Sequence, residues 1–339
     1  MEYLGTFPAG FTELVKRLIE RDTSLQEFLF YDESVIALRS ERPLTRLPYL
    51  KNLYPLIAWG RAKDLQSAYQ LVLHTSFQKA LTFSAEPNSR QNFVIRLFIE
   101  GKPAPIIREL HEKLEKAIME VLGGRPNSER PDLELQLHLR KNQQCYLIVQ
   151  KGKRSEEELP AGTLPPYLCR LLLELSNPQR DDIFLDPFMG SAALPLERAR
   201  MGPYQMIFAG DIKTEKVEAL KTILKQKQWE KRRKTIFPKV LDATQLERFK
   251  DDFITRIVSD PPWGLYEGLD MQAILWLYSN FLREAARLLS KNGRMVLLVG
   301  SGVPLPEILN NSDIPLKIIE QFPVLVSGQK ALVYVIIPE

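Results

Sequence analysis

Cysteine and histidine are scarce in this chain of 339 residues, with two of the first and three of the second. Cys145 and Cys169 sit among apolar neighbours and no Cys-x-x-Cys spacing occurs. That excludes a disulfide scaffold and points to a reducing compartment. His74, His111 and His138 lie far from one another and from both cysteines in the sequence except for His138 and Cys145, so no zinc site built on His and Cys, and no metal, is expected. No uninterrupted apolar stretch reaches the roughly 18 residues of a membrane span. Met1-Glu2-Tyr3-Leu4-Gly5 carries no charged leader ahead of an apolar run, so the cytoplasm is the expected compartment. Charge of one sign is not in excess either: 46 Lys and Arg against 42 Asp and Glu leave +4. Such a balance tolerates a polyanionic partner without arguing for one, and a mildly basic soluble enzyme has the same profile.

What is present is ordinary for a soluble globular protein: 45% hydrophobic and 26% charged residues, in a length that suits about two domains. A monomer is assumed. Residues 1–60 mix helix and strand. Phe11, Leu14, Val15 and Leu18 recur at helical spacing after Pro8-Ala9-Gly10, and Ser34–Leu38 reads as a short strand.

Residues 61–153 carry sharper patterns. Phe93, Ile95, Leu97 and Ile99 alternate along a strand. Ile106, Ile107, Leu110, Leu114 and Ile118 mark a helix that ends near Gly123-Gly124. Leu133, Leu135, Leu137 and Leu139 alternate strictly with Glu134, Gln136, His138 and Arg140, which reads as a strand with one buried and one wet face. Gln144–Gln150 can pair with it across Lys141-Asn142-Gln143. The aperiodic charged run Lys151–Glu158 is the boundary candidate, although a solvated linker needs no function.

From residue 154 to the end the rhythm becomes strand alternating with helix. Apolar runs fall at Ile183–Leu185, Met206–Ala209, Ile236–Leu241, Ile254–Val258 and Met295–Val299, with helical patterns between them. This implies a parallel sheet covered on both faces. Pro315–Ile319 and Leu332–Ile337 lie too close for a crossover helix and suggest a terminal antiparallel excursion.

In such sheets ligands bind beyond the carboxyl ends of the strands. After the first run stands Asp186-Pro187-Phe188-Met189-Gly190-Ser191-Ala192. Gly190 and its small neighbours let a backbone approach a ligand closely, and the next helix offers free N–H groups. Neither a phosphate loop nor a full dinucleotide fingerprint is present, and an ordinary tight turn would look similar. After the second run comes Asp211-Ile212. An acid about 25 residues past the first turn can hold a ribose through two hydroxyls, or simply cap the helix that follows. Asp242 after the third run is a candidate partner for an adenine amino group.

After the fourth run comes Ser259-Asp260-Pro261-Pro262-Trp263-Gly264. An exocyclic base amine is a poor nucleophile because its lone pair is delocalised into the ring. Two acceptors, the Asp260 carboxylate and the Pro261 carbonyl, can bind its two N–H groups and turn the lone pair toward an electrophile. Pro261 and Pro262 fix the backbone and remove competing donors. Trp263 can stack on the base for about 1–3 kcal/mol, which offsets the few kcal/mol lost when the base leaves its helix. A proline-rich turn beside a core tryptophan is the plainer reading.

Taken in order after four successive strands, these sites resemble the amino-methylating class of Rossmann-fold methyltransferases that use S-adenosylmethionine (SAM). Asp186-Pro187-Phe188-Met189-Gly190-Ser191, and Pro160–Pro166 ahead of it, resemble the corresponding segments of THUMP-domain RNA guanine-N2 methyltransferases. Residues 61–153 are similar to the RNA-binding THUMP module, through Phe93-Val94-Ile95-Arg96 and the strand from Leu133. Residues 1–60, with Phe7-Pro8-Ala9-Gly10-Phe11, resemble the ferredoxin-like module that precedes it.

The resemblance implies an α/β fold: a Rossmann-like methyltransferase domain with a mostly parallel, seven-stranded sheet over residues 154–339, preceded by an α+β RNA-binding module. It implies SAM contacts from Asp186, Phe188, Gly190, Ser191, Asp211, Ile212, Asp242 and Ala243. Catalysis falls to Asp260, Pro261, Pro262 and Trp263, and the substrate is a guanine of transfer RNA. Two departures stand out. Ala192 occupies the place of a second glycine in the family's first turn, and the fourth motif often reads Asn-Pro-Pro-Tyr-Gly. The motif as it stands is shared with adenine-N6 methyltransferases, which leaves adenine N6 or a ribosomal guanine as alternative targets. A non-catalytic RNA-binding protein with a degenerate SAM site has Ala192 as its support, and the intact Asp211 and Asp260 against it.

Overall fold

The structure, a computed structural model, describes residues 1–78, 90–152, 160, 162–264, 268–311, 313–326 and 328–339. Most of the charged run Lys151–Glu158 and Ala161 lie outside these. The chain divides into two compact units, Met1–Thr6 with Lys16–Glu158 and Phe7–Val15 with Leu159–Glu339.

The first half of the chain runs β1 (Glu2–Thr6), α1 (Thr12–Asp22), β2 (Leu25–Tyr31), β3 (Val35–Ser40), β4 (Asn52–Arg61), α2 (Leu65–Leu73), β5 (Gln91–Ile99), β6 (Lys102–Pro103), α3 (Arg108–Leu122), β7 (Gly123–Pro126), β8 (Leu133–Leu139) and β9 (Gln144–Lys151). Its strands form one sheet in the order β2-β3-β1-β4-β9-β8-β5-β6, with β7 beside β5. The ten residues of β4 pair with β1 (Tyr3↔Pro55) and with β9 (Leu56↔Ile148). Residues 1–60 and 61–153, which the sequence separates, are therefore threaded by a common sheet, because β4 runs past position 60. The α3 helix ends where Gly123 takes a left-handed conformation at φ 66°, the glycine stop its pattern predicts.

One expectation about β8 is corrected. Its leucines pack into the core as predicted, but the alternate face is not wet. Glu134 is buried and pairs with Arg96 at 3.1 Å. His138 is stacked between Phe98 and Tyr146, with ring centroids 4.7 and 4.9 Å away. Burial pushes its imidazole down to about 4, so it stands neutral at pH 7. Polar residues alternate here because the second face carries a small aromatic cluster of its own, with Phe30 stacked on Tyr146.

The second unit continues with α4 (Pro166–Leu175), β10 (Ile183–Asp186), α5 (Ala193–Met201), β11 (Met206–Asp211), α6 (Thr214–Leu224), β12 (Ile236–Val240), β13 (Ile254–Ser259), α7 (Met271–Leu288), β14 (Leu289–Gly300), α8 (Leu305–Asn310), β15 (Leu316–Val326) and β16 (Gln329–Pro338). The seven strands are ordered β12-β11-β10-β13-β14-β16-β15. The first five are mutually parallel, while β16 runs antiparallel to both β14 and β15. This is the mostly parallel sheet with an antiparallel excursion that the spacing of the last two runs predicts. Leu185, Ile257, Met295 and Leu297 of the central strands are fully buried with Ile274, Tyr278, Phe281 and Leu282 of α7, as strands covered by helices must be.

The order reverses between β10 and β13, which opens a crevice beyond their carboxyl ends. The opposite end of the same strands is closed by ion pairs. Asp182, just ahead of β10, holds Arg198 at 2.9 Å and Arg256 at 3.5 Å. Breaking such a buried pair leaves an uncompensated charge, so this end serves the fold.

Candidate active site

Four loops leave the carboxyl ends of β10, β11, β12 and β13, and they carry all the site residues expected from sequence. The β10 strand ends on Asp186, which is 1% exposed. Its Oδ1 accepts hydrogen bonds from Ser259 Oγ at 2.5 Å and from the Phe188 N–H at 3.2 Å. Burial pushes the Asp186 carboxyl up to about 7; the Ser259 and Phe188 hydrogen bonds pull the other way, and the nearby Asp260 and Asp211 charges add to the rise. Three carboxylates thus converge at the crevice. Phe188 is half-buried and meets Phe281 edge-on at 5.1 Å, while Ser191 is exposed.

The turn after Asp186 is tight. Gly190 has φ +51° and Ala192 has φ +61°, so both occupy the left-handed region. A methyl there costs about 1–2 kcal/mol, which is the physical reason a glycine suits position 192. Ala192 nevertheless holds the conformation, with its N–H donating to the Met189 carbonyl at 2.6 Å.

Asp211 ties this turn to the next. Its Oδ2 accepts from the Gly190 N–H at 3.0 Å and its Oδ1 from the Lys213 N–H at 2.9 Å. The helix-cap alternative does not hold in its simple form, because the residue at the cap position of α6 is Lys213. A carboxylate has about four lone-pair sites, so both oxygens can still accept hydroxyl donors. Ile212 beside it is 65% exposed, an apolar side chain open to a flat ring. Asp242 closes a turn of its own by accepting from Thr244 N at 2.9 Å and Thr244 Oγ1 at 2.7 Å. The side chain of Ala243 is buried in the core, so only its backbone can meet a ligand.

These residues fit SAM on their chemistry. Three carboxylates suit a molecule with a sulfonium and an ammonium, a fixed acid suits a ribose, and the open isoleucine suits an adenine. Cys169 on α4 is near the same acids, but burial pushes its thiol well up and leaves it no nucleophile.

At the end of β13 the turn Asp260-Pro261-Pro262-Trp263 is held from several sides. Pro261 is buried, and the Tyr278 hydroxyl donates to the Pro262 carbonyl at 3.1 Å. The Trp263 indole N–H donates to Asp260 Oδ1 at 2.9 Å. Trp263 also lies against Gly300 at the end of β14, where an added Cβ would stand 2.9 Å from its Cβ and Cγ. Residues 265–267, next in the chain, lie outside the described set.

Sequence reasoning gave no role to Ser259, Tyr278 or Gly300. Tyr278 falls on the buried stripe of α7 with Ile274 and Phe281, so its periodicity is that of any core residue. The basic run Lys231–Lys234 is exposed in the turn that leads into the amino end of β12, away from these loops. Among the described residues no group of three or more His, Cys, Asp or Glu could hold a metal, and no helix is long and apolar enough to cross a membrane.

Comparison with known proteins agrees with this geometry. A tRNA (guanine(6)-N2)-methyltransferase of Thermus thermophilus is 28% identical over 207 residues, 59% of each chain. A tRNA (guanine(10)-N2)-dimethyltransferase of Methanothermobacter thermautotrophicus is 26% identical over 149 residues, 44% of this chain and 42% of its own. The chain thus aligns with about half the length of the curated relatives it matches. The crystal structure of TrmN from Thermus thermophilus shares the fold along the full length of both chains, with a TM-score of 0.74 and 22% identity. Over residues 154–330, more than half of its length, the chain matches the UPF0020 model, described as an RMKL-like methyltransferase domain, and it belongs to that family.

Proposed function

We propose that this protein transfers a methyl group from SAM to the exocyclic N2 of a guanine in transfer RNA. The observation that carries the reading is the turn Asp260-Pro261-Pro262-Trp263, held at the carboxyl end of β13 beside three convergent carboxylates. The names of the two curated relatives support the substrate.

Bound SAM supplies an electrophilic methyl on a sulfonium sulfur. Asp211 takes the ribose hydroxyls, Ile212 covers one face of the adenine, and Asp242 receives the adenine amino group. Asp186 adds negative charge where the cationic end of the ligand is held. Asp260 and the Pro261 carbonyl accept the two N–H groups of the guanine amine and turn its lone pair toward the methyl. Carbon bonds to nitrogen as its bond to sulfur breaks, and the electron pair stays on sulfur. The amine then gives up one proton, which Asp260 is placed to receive. Positioning of this kind accounts for much of the barrier in such transfers.

Selection of the RNA is assigned to residues 1–153, as a ferredoxin-like segment and a THUMP-like module. The methyltransferase unit offers only a pocket, and its basic run lies at the far edge of the sheet. The compartment that goes with this reading is the cytoplasm. The test is to incubate the protein with SAM and unmodified tRNA, and to map methylated nucleosides by mass spectrometry. N2-methylguanosine at one position is the expected product. Methyladenosine, or transfer to ribosomal RNA only, would replace the substrate while keeping the chemistry; SAM binding without transfer to any RNA would sink the enzyme reading.

A further inference from the structure

Trp263 is expected from sequence to stack on the substrate base, yet its polar edge is already committed. The indole N–H points at Asp260 Oδ1, 2.9 Å away, within the same turn. Several contacts fix that geometry. Pro261 and Pro262 hold the backbone between the two side chains, and Tyr278 pins the Pro262 carbonyl at 3.1 Å. Gly300 offers a flat floor, because any Cβ there would stand 2.9 Å from Cβ and Cγ of Trp263 and 3.0 Å from Cδ2. These are atoms at the rigid root of the side chain, and the ring cannot move aside without leaving its place over Gly300.

We infer that Trp263 is a positioning residue: its indole N–H holds one oxygen of Asp260 and thereby presents the other to the substrate amine. The inference rests on the reading of Asp260 as the amine's acceptor. Its chemical content is that this site requires a carboxylate and discriminates against the carboxamide. An indole N–H is a donor only. The two oxygens of a carboxylate are equivalent, so engaging one leaves an acceptor of the same kind. A carboxamide is asymmetric: the indole takes its oxygen, and its NH2 then faces the incoming N–H, donor against donor.

The test is a double-substitution cycle read by single-turnover methyl transfer to the tRNA. Asp260→Asn alone is expected to lose about a hundredfold or more, since an unmet hydrogen bond is joined by a facing donor. Trp263→Phe alone keeps a stacking face and loses far less. In the double substitution the carboxamide is free to turn its oxygen to the amine, and the rate is expected to recover at least about tenfold over Asp260→Asn. Gly300→Ala moves the indole without altering either partner and is expected to rescue Asp260→Asn in the same direction, which covers a Trp263 variant that fails to fold. Losses that simply multiply, with no rescue from either background, would overturn the inference.

A second readout does not depend on the substrate. The Trp263 indole proton–nitrogen resonance is identified by its loss in Trp263→Phe, among the four tryptophans of the chain. It is expected to shift in Asp260→Asn and to shift and exchange faster in Asp260→Ala. An unmoved resonance would overturn the contact. If the unaltered protein methylates no guanine, the proposed substrate fails by itself, and the resonance still decides whether Trp263 holds Asp260.

Discussion

Ser259 Oγ donates to Asp186 Oδ1 at 2.5 Å, across the point where the sheet reverses its strand order. One residue of this pair opens the cofactor turn and the other immediately precedes the catalytic turn. The bond therefore fixes two loops of the site relative to each other, inside the core, where both side chains are almost wholly buried.

Ser259→Ala removes a donor that favours the ionised form of Asp186. A hydrogen bond to a charged group is worth about 1.5–3 kcal/mol, or about one to two pKa units. The Asp186 midpoint is expected to rise from about 7 by that amount, whereas Ser259→Thr, which keeps the hydroxyl, leaves it nearly in place. Carboxyl-carbon NMR titration of the three proteins measures this. An unmoved midpoint in Ser259→Ala would deny the bond its role.

Asp186 also makes the stability of the methyltransferase unit depend on pH. Its folded midpoint of about 7 lies above the ordinary 3.8. The native state thus keeps a proton that the unfolded chain has lost, and stability falls as pH rises from about 4 to about 7. Asp186→Asn is expected to flatten that slope in the thermal midpoint. His138 in the other unit acts in the opposite direction. Its folded midpoint of about 4 lies below 6.5, so its contribution is present above pH 6.5 and is lost as pH falls toward 4. His138→Phe is expected to remove that acid sensitivity. A slope unchanged by either substitution assigns the pH dependence to other groups.

Asp211 is expected to serve the cofactor by two routes. It accepts from Gly190 and Lys213, which shapes the turn, and its remaining lone pairs suit the ribose. Asp211→Ala is expected to weaken SAM binding about tenfold to a hundredfold, as loss of charge-assisted hydrogen bonds does. Asp211→Asn keeps one acceptor oxygen and falls between. Calorimetric titration with SAM gives the three constants; equal values would leave Asp211 as a loop tie alone.

Ala192 separates strain from packing. Changing it to glycine relieves a left-handed φ of 61°, worth about 1–2 kcal/mol. It also removes a buried methyl worth about 0.8 kcal/mol and frees the unfolded chain by about 0.5–1 kcal/mol. These nearly cancel, so Ala192→Gly is expected to change stability by less than about 1 kcal/mol. Ala192→Val puts a branched side chain into the same conformation in a space where Ala192 is 1% exposed, and is expected to cost more than about 2 kcal/mol. Denaturant midpoints of the two variants check both signs.

The chain's own pattern was enough to place the strands of the methyltransferase unit. Runs such as Ile183–Leu185 and Ile254–Val258 are short, apolar and separated by helical spacing, and local hydrophobic period is what sets such elements. It was enough as well to place Asp186, Asp211, Asp242 and Asp260 at strand ends, because a residue's place after a run needs no tertiary information. It did not reveal that residues 1–60 and 61–153 share one sheet, since pairing of β4 with both β1 and β9 joins segments distant in sequence. Nor did it reveal the buried second face of β8, where polar letters conceal a histidine packed between two rings. Ser259 on Asp186, Tyr278 on the Pro262 carbonyl, and Trp263 over Gly300 join residues from different strands and from α7. Such contacts carry no periodicity of their own, and only the packing of the folded sheet brings them within hydrogen-bond or van der Waals reach.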